Sequence, residues 1–103
     1  MRTIFKYDIP SASEFKIALP LFSDVISVQI QNGYPEMWVL HETDNEKVNT
    51  VFRIFMTGEP IPPDYRGRWV GALQIKGIVL HIFQNTVVEV IAEPEKLTSR
   101  DNQ

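Results

Sequence analysis

Apolar and polar residues alternate with a period of two along most of this sequence, and tight-turn residues separate the alternating runs. In the run from Val25 to Gln31, for example, Ile26, Val28 and Ile30 fall on one side of an extended chain. A period of two is typical of a half-buried β-strand, whereas an amphipathic helix repeats about every 3.6 residues. Because no stretch shows a convincing helical pattern, the sequence predicts an all-β fold.

The alternating runs predict about seven to eight short strands. They cover residues 3–9, 14–19, 25–31, 36–42, 48–57, 69–76, 78–83 and 87–93. Consecutive short strands joined by tight turns favour an antiparallel arrangement, so we expect a small antiparallel β-barrel or sandwich. Residues 1–93 are predicted to form a single domain, and the polar residues 94–103 a flexible tail.

The strongest turn signal is Asn32-Gly33, which lies between two strand-like runs. A type I′ hairpin turn needs a positive φ at both central residues, and Asn-Gly meets that need best. The return strand is apolar on both faces, as is the strand at residues 48–57, so we expect both to be central in their sheets. Trp38 and Phe52, one on each of these strands, are predicted core residues. Gly71 predicts a bulge or a close backbone approach.

Composition excludes several classes of protein. The 103 residues suffice for one modest core, and the absence of cysteine excludes disulfides and thiolate zinc sites. A formal net charge of −3 gives no overall attraction to nucleic acid or to an anionic membrane. No apolar run approaches the roughly 20 residues that a membrane span needs, and the N-terminus lacks the apolar core of a signal peptide. A soluble, intracellular protein with no membrane partner is therefore expected.

Catalytic and metal-binding patterns are weak. His41 and His81 both fall in strands without recognised ligand spacing, so we interpret them as histidines with ordinary hydrogen-bond partners. The serines lack a nucleophile motif. The acidic turn at residues 42–46 lacks the ligand series of a calcium-binding loop. We predict no catalytic residue, no metal and no cofactor, and hence no enzyme.

The long interruption at residues 57–71 carries three prolines and a cluster of arginines and aromatics. With the preceding strand it supplies the predicted binding residues, which are Arg53, Tyr65, Arg66, Arg68 and Trp69. Arginine binds carboxylate or phosphate through two parallel hydrogen bonds, and arginine, tyrosine and tryptophan are enriched at protein interfaces. Three interpretations stay open: a protein-binding surface, a site for a phosphate-bearing ligand, and a core tryptophan lined by arginines with solvated heads.

Several short motifs occur together in the second half of the chain. They read Phe52-Arg53-Ile54-Phe55, Thr57-Gly58-Glu59-Pro60-Ile61-Pro62, Gly71-Ala72-Leu73-Gln74 and His81-Ile82-Phe83. With the opening residues 4–7, the hairpin at 27–33 and Trp38, this pattern resembles a family of small β-proteins of unknown function from bacteriophages and prophages. The similarity covers most of residues 2 to 84. Glu59 stands where that family usually has histidine, and residues 87–103 extend beyond its customary end.

This resemblance implies a phage accessory protein that works in the cytoplasm of the host bacterium, and it implies no activity, cofactor or catalytic residue. Our leading hypothesis is a non-enzymatic binding protein that inhibits a host protein or complex, such as a defence complex. One alternative is a protein that sequesters a nucleotide-derived signal against Arg53, Arg66 or Arg68. Another is a virion-associated structural protein. A homodimer formed through the edge strand at residues 87–93 is also expected.

Overall fold

The structure, a computed structural model of the chain, describes residues 1–86 and 89–90, which form eight antiparallel strands and no helix. The strands are β1 (Arg2–Asp8), β2 (Glu14–Pro20), β3 (Asp24–Gln31), β4 (Tyr34–Glu42), β5 (Lys47–Met56), β6 (Gly67–Ile75), β7 (Ile78–Asn85) and β8 (Glu89–Val90). The predicted all-β class is confirmed. The expected tail at residues 94–103 and most of the expected strand at 87–93 lie outside the described residues.

The strands form two sheets. The smaller sheet has the order β1-β4-β3, and the larger has the order β2-β5-β7-β6, with β8 paired to the start of β5. The described strands close no barrel, which is consistent with a sandwich. Both strands that are apolar on two faces, β4 and β5, have neighbours on each side, as their composition predicts.

Asn32-Gly33 joins β3 to β4 as the sequence predicts. Asn32 has a φ of 52° and Gly33 a φ of 84°, and the pair Gln31 and Tyr34 closes the hairpin. Positive φ at both central residues is the property that a type I′ turn requires.

The core lies between the two sheets. The smaller sheet contributes Met37 and Val39, and the larger contributes Phe52, Ile54 and Ile82, all of them buried. Phe52 is 0% exposed, so its predicted core position is confirmed.

Gly71 brings the two sheets into close contact. A Cβ at this position would lie 2.6 Å from Cγ2 of Val28, so only a residue without a side chain fits where β6 approaches β3. The strand register also shifts between Trp69 and Gly71, so the predicted bulge and the predicted close approach are both present.

Ile26 was predicted to lie on the same face of β3 as Val28, and this prediction is wrong. The register shifts between Val25 and Ser27, and this bulge leaves Ile26 51% exposed. Val25 and Val28 pack against the core instead. One extra residue in a strand reverses the face of the sheet to which the residues after it point. A period-two pattern does not reveal where that residue is inserted.

Trp38 is not a core residue, and that prediction is also wrong. It lies opposite Lys6 on one side and Ser27 on the other, on the face of β4 that points away from Met37 and Val39. It is half-buried there. The larger sheet covers only one face of the smaller sheet, so a strand that is apolar on both faces leaves one of them at the surface.

None of the described residues forms a helix long and apolar enough to cross a membrane.

Candidate functional site

The candidate site lies on the outer face of the larger sheet. The strand register places Glu14, Arg53, Phe83 and Trp69 in one row across β2, β5, β7 and β6. Residues directly opposite each other in an antiparallel pair share a face, and Phe52, the neighbour of Arg53, points into the core. The row therefore points away from the core.

Tyr65 anchors the loop at residues 57–66 to this face. Its ring packs edge-on against Phe55 at 5.5 Å and against Phe83 at 6.1 Å between centroids. Its hydroxyl donates a hydrogen bond to Oδ1 of Asn85 at 2.7 Å. Burial raises the pKa of the Tyr65 hydroxyl, while the charge of Arg53 acts in the opposite direction. Phe55 is 2% exposed despite its outward position, because these rings cover it.

The first half of the loop is held by its own hydrogen bonds. The Glu59 amide donates to the Met56 carbonyl at 3.0 Å, and a Glu59 carboxylate oxygen accepts from the Met56 amide at 2.9 Å. Further along, the Tyr65 amide donates to the Pro62 carbonyl at 2.9 Å. Three prolines fix φ between these points, so the loop is ordered before any contact is made.

Arg53 lies against the aromatic cluster. Its Cζ is 5.0 Å from the centroid of the Phe55 ring and 5.4 Å from that of Tyr65, within the range of cation–π contacts. Its Nε is buried without a hydrogen-bond partner among the described residues. Oε1 of Glu14 lies 3.9 Å from this nitrogen, beyond hydrogen-bond distance.

A solvent-open cavity of about 410 Å³ adjoins this cluster. Its lining residues are Arg53, Pro62, Asp64, Tyr65, Arg66 and Asn85. Nη1 of Arg66 donates to the carbonyl oxygens of Pro63 at 3.2 Å and of Tyr65 at 3.1 Å, so the backbone of the loop orients this guanidinium. Three predicted binding residues, Arg53, Tyr65 and Arg66, are thus brought together.

Trp69 is 54% exposed, so the interpretation that it is a core residue is wrong. Its Nε1 donates to Nδ1 of His81 at 3.2 Å. Since an indole nitrogen only donates, Nδ1 accepts and the His81 proton is on Nε2, which donates to Oγ1 of Thr57 at 2.9 Å. Trp69 is therefore an exposed aromatic ring whose polar edge is fixed.

Arg68 is separated from the other four predicted binding residues. It lies opposite Gln84, which in turn lies opposite the core residue Phe52, and its Nη2 donates to Oε1 of Gln84 at 3.3 Å. Strand β6 already begins at Gly67, so Arg68 and Trp69 point to opposite faces of the sheet. Adjacency in sequence suggested a common surface, and strand alternation removes Arg68 from it.

Sequence reasoning missed two polar residues of the cavity lining. Asp64 and Asn85 both line the cavity, yet nothing in the local pattern marks them. Phe83 was within reach of prediction, because its alternation with Ile82 places it on the outer face.

The histidines behave as the sequence predicts. His41 makes a hydrogen bond of 2.9 Å with the Tyr7 hydroxyl, and His81 bridges Trp69 and Thr57. The two lie in different sheets. Among the described residues, no group of three or more histidine, aspartate or glutamate side chains is arranged to hold a metal ion.

The fold and the site together describe a small all-β sandwich domain with an ordered loop of arginine and aromatic residues on one outer face. The chain belongs to the family described as Domain of unknown function (DUF7352), whose family model matches residues 1–92. No curated protein and no solved structure matches the chain. The matched region includes every described strand and the entire loop.

Proposed function

We propose that this protein is a non-enzymatic binding protein whose outer loop face contacts a second protein and inhibits it. The loop face is defined here as Arg53, Tyr65, Arg66 and Trp69. The observation that carries this proposal is Trp69, a large aromatic side chain that is 54% exposed and yet fixed by a hydrogen bond. Tryptophan, tyrosine and arginine are enriched among the few residues that carry most of the binding energy of protein interfaces.

The order of the loop supports the same function. Tyr65 anchors the loop, Glu59 pairs with Met56, and three prolines restrict the backbone between them. A segment that is ordered before contact loses less conformational entropy on binding, which favours affinity.

Arg66 indicates the chemistry of the partner surface. Its guanidinium is exposed and oriented by two backbone carbonyls, and among residues 1–86 no carboxylate oxygen lies within 4.0 Å of it. An acidic patch on the partner supplies carboxylates that can accept hydrogen bonds from the N–H groups of this guanidinium.

The kind of partner follows from the resemblance to small phage and prophage proteins. A phage accessory protein in the host cytoplasm meets host proteins first, so we propose a host protein or complex as the target. Reading the genes that flank this one checks it: phage genes beside it support a host target, and a purely bacterial neighbourhood contradicts it.

The binding proposal is tested by capturing proteins from bacterial lysate with the wild-type chain and with a Trp69→Ala, Arg66→Ala double variant. Both side chains are exposed, so the double variant is expected to keep the wild-type melting temperature. The matched control is Arg68→Ala, because Arg68 lies on the opposite face of the same sheet.

We expect stoichiometric capture of one protein by the wild type and by Arg68→Ala, and loss of capture in the double variant. If capture survives in the folded double variant, the contact surface lies elsewhere on the molecule and the proposal fails.

A further inference from the structure

Two arginines line the cavity beside the loop, and one donor of Arg53 has no hydrogen-bond partner among the described residues. Nε of Arg53 is buried and makes no hydrogen bond, although a buried polar group without a partner costs free energy. The one carboxylate oxygen near it among the described residues belongs to Glu14, and at 3.9 Å it is too distant to accept.

Two aromatic rings fix where the Arg53 charge is held. The guanidinium carbon lies 5.0 Å from the Phe55 centroid and 5.4 Å from the Tyr65 centroid. Contacts with rings engage the flat surface of a guanidinium and leave the N–H groups at its edge for an acceptor. Arg53 is therefore positioned without being neutralised by a hydrogen-bonded anion.

Arg66 brings a second guanidinium to the same cavity. Both of its described hydrogen bonds leave from Nη1, to the carbonyls of Pro63 and Tyr65. Its Nε and Nη2 donors are not used by these bonds. Two arginines that line one cavity can together coordinate the several oxygens of a carboxylate or a phosphate.

The side chains that line the cavity carry a net positive charge. Arg53 and Arg66 line it, while Asp64 is the one carboxylate in its described lining. Glu14 lies on the far side of Arg53 in the strand order and is not part of that lining. The sum over the lining side chains is one positive charge, and the Glu14 carboxylate, 3.9 Å from Nε of Arg53, offsets part of it from outside the lining.

We infer that the cavity lined by Arg53 and Arg66 is an oxyanion-binding site that accepts a carboxylate or a phosphate group. This inference deepens the proposed function, on which it rests, because it names the chemical group that the loop face recognises. An oxyanion placed there can accept hydrogen bonds from the donors of Arg53 and Arg66 that face the cavity, and Asn85 and Tyr65 belong to the same lining.

The oxyanion has two sources with the same chemistry. A partner protein supplies it as an aspartate or glutamate side chain, and a free small molecule supplies it as a phosphate. A volume of about 410 Å³ lies within the usual range for small-molecule pockets, so the space does not decide between them. The test therefore compares inorganic phosphate, acetate and adenosine 5′-monophosphate as probes.

Binding is measured by NMR titration of the side-chain N–H signals of the arginines, with chloride keeping the ionic strength constant. The wild type is expected to bind inorganic phosphate with a dissociation constant of about 1 mM, with saturable shifts of the Arg53 and Arg66 signals. Arg66→Ala is expected to weaken this binding about tenfold, because one of the two guanidinium groups that line the cavity is lost.

Asp64→Asn is expected to change the affinity for phosphate in the opposite direction. Removing the one negative charge of the lining is expected to tighten phosphate binding about threefold. Arg68→Ala is the matched control, since it removes an equal charge from the other face of the sheet and is expected to leave the affinity unchanged. Shifts that do not saturate, or an equal loss of affinity in Arg68→Ala and Arg66→Ala, overturn the site and leave only nonspecific attraction.

The probes then separate the two sources. Adenosine 5′-monophosphate that binds at least tenfold more tightly than inorganic phosphate assigns the site to a free phosphate-bearing ligand. Acetate that matches phosphate, with no gain from the nucleoside, assigns it to a carboxylate of the partner protein. Both outcomes support an oxyanion site.

Failure of the site and failure of the proposed function give different results. Partner capture that depends on Trp69 but not on Arg53 or Arg66, with no phosphate binding, retains the proposed function and rejects the oxyanion site. Saturable phosphate binding without any captured protein retains the site and rejects the proposed function.

Discussion

At the scale of single residues, Glu36 is the least expected feature of the molecule. It is 6% exposed although it lies on the outer face of the smaller sheet, and its Oε1 has no partner among the described residues. Asp8 is its direct cross-strand neighbour on β1. The Lys6 ammonium donates to Oε1 of Gln31 at 2.7 Å, and these two residues lie diagonally across β4, opposite Trp38 and Tyr34.

Burial raises the pKa of the Glu36 carboxyl, the hydrogen bond and charge of Asp8 raise it further, and the charge of Lys6 lowers it. A pKa that is higher in the folded state than in the unfolded state means that the folded protein favours the protonated form. The resulting stability is fully present below the ordinary pKa of 4.5 and is lost as pH rises through the raised pKa of the folded state.

Glu36→Gln is therefore expected to raise the melting temperature at pH 7.5 and to change it little at pH 4, because glutamine resembles the protonated carboxyl. The measurement is thermal unfolding at both pH values. Glu46→Gln, in the exposed turn before β5, is the control and is expected to have no effect at either pH. An equal gain at both pH values from Glu36→Gln would show that the effect does not come from charge.

Gly67 is a second residue whose role depends on a single contact. A Cβ at this position would overlap the Tyr65 ring, with Cζ only 2.5 Å away. Gly67→Ala is expected to displace Tyr65 from Phe55, Phe83 and Asn85, at a cost of about 1–3 kcal/mol in free energy of unfolding. Urea unfolding measures it.

The control for Gly67 is a double-mutant cycle with Tyr65→Ala. If the ring is the obstacle, Gly67→Ala costs almost nothing once the ring has been removed. A cost that persists in the Tyr65→Ala background would mean that the strand backbone itself requires glycine.

At the scale of the structural elements, the hairpin between β3 and β4 is the part that the sequence predicts best. Gly33 has a φ of 84°, and a Cβ there would meet no atom within 4 Å, so backbone conformation is the only constraint. Gly33→Val is expected to cost more than about 1 kcal/mol, because a β-branched residue resists positive φ.

Gly33→Asn is the matched variant, since asparagine tolerates positive φ, and we expect it to cost clearly less. The free energies of unfolding of the two variants, measured in urea, show whether positive φ is the constraint at this position. Equal costs would locate the requirement in something other than the φ of this turn.

The strands and turns were predictable because both follow from local chemistry. Alternation marks a strand, and Asn32-Gly33 supplies the positive φ of its turn. The bulge at Ile26 and the opposite facing of Arg68 were not predictable, because each depends on which residues pair across the sheet. In the site, too, the local part was predictable and the part that depends on strand pairing was not. Arg53, Tyr65 and Arg66 lie together, as the composition of the loop suggested. Asn85 joins them only through the pairing of β6 with β7.

At the scale of the whole molecule, self-association stays a prediction. The expected edge strand at residues 87–93 lies mostly outside the described residues, and its described part, Glu89–Val90, pairs with β5 of the same chain. Strands at the ends of the two sheets, such as β1 and β2, still have one unpaired edge within the described fold. Such edges are commonly covered by a partner chain, so we expect a dimer. A monomeric mass in light scattering at micromolar concentration would contradict this.

The last prediction concerns how the two sheets share the stability of the fold. Phe52 is 0% exposed and packs between the sheets, with its ring stacked on Phe15 at 5.1 Å between centroids. Trp38 lies half-buried on the outer face of the smaller sheet, where its neighbours across the strands are Lys6 and Ser27.

Phe52→Ala is expected to cost about 3–5 kcal/mol, a large fraction of the roughly 5–15 kcal/mol typical of folded domains, because it opens a cavity that both sheets enclose. Trp38→Ala removes a larger side chain but opens no enclosed cavity, since water can fill the space on an outer face. We therefore expect Trp38→Ala to stay folded and to cost clearly less than Phe52→Ala. Circular dichroism and urea unfolding of both variants provide the measurement. A greater loss from Trp38→Ala would mean that a further part of the chain or a second protein covers the outer face of the smaller sheet, and that this face belongs to the core after all.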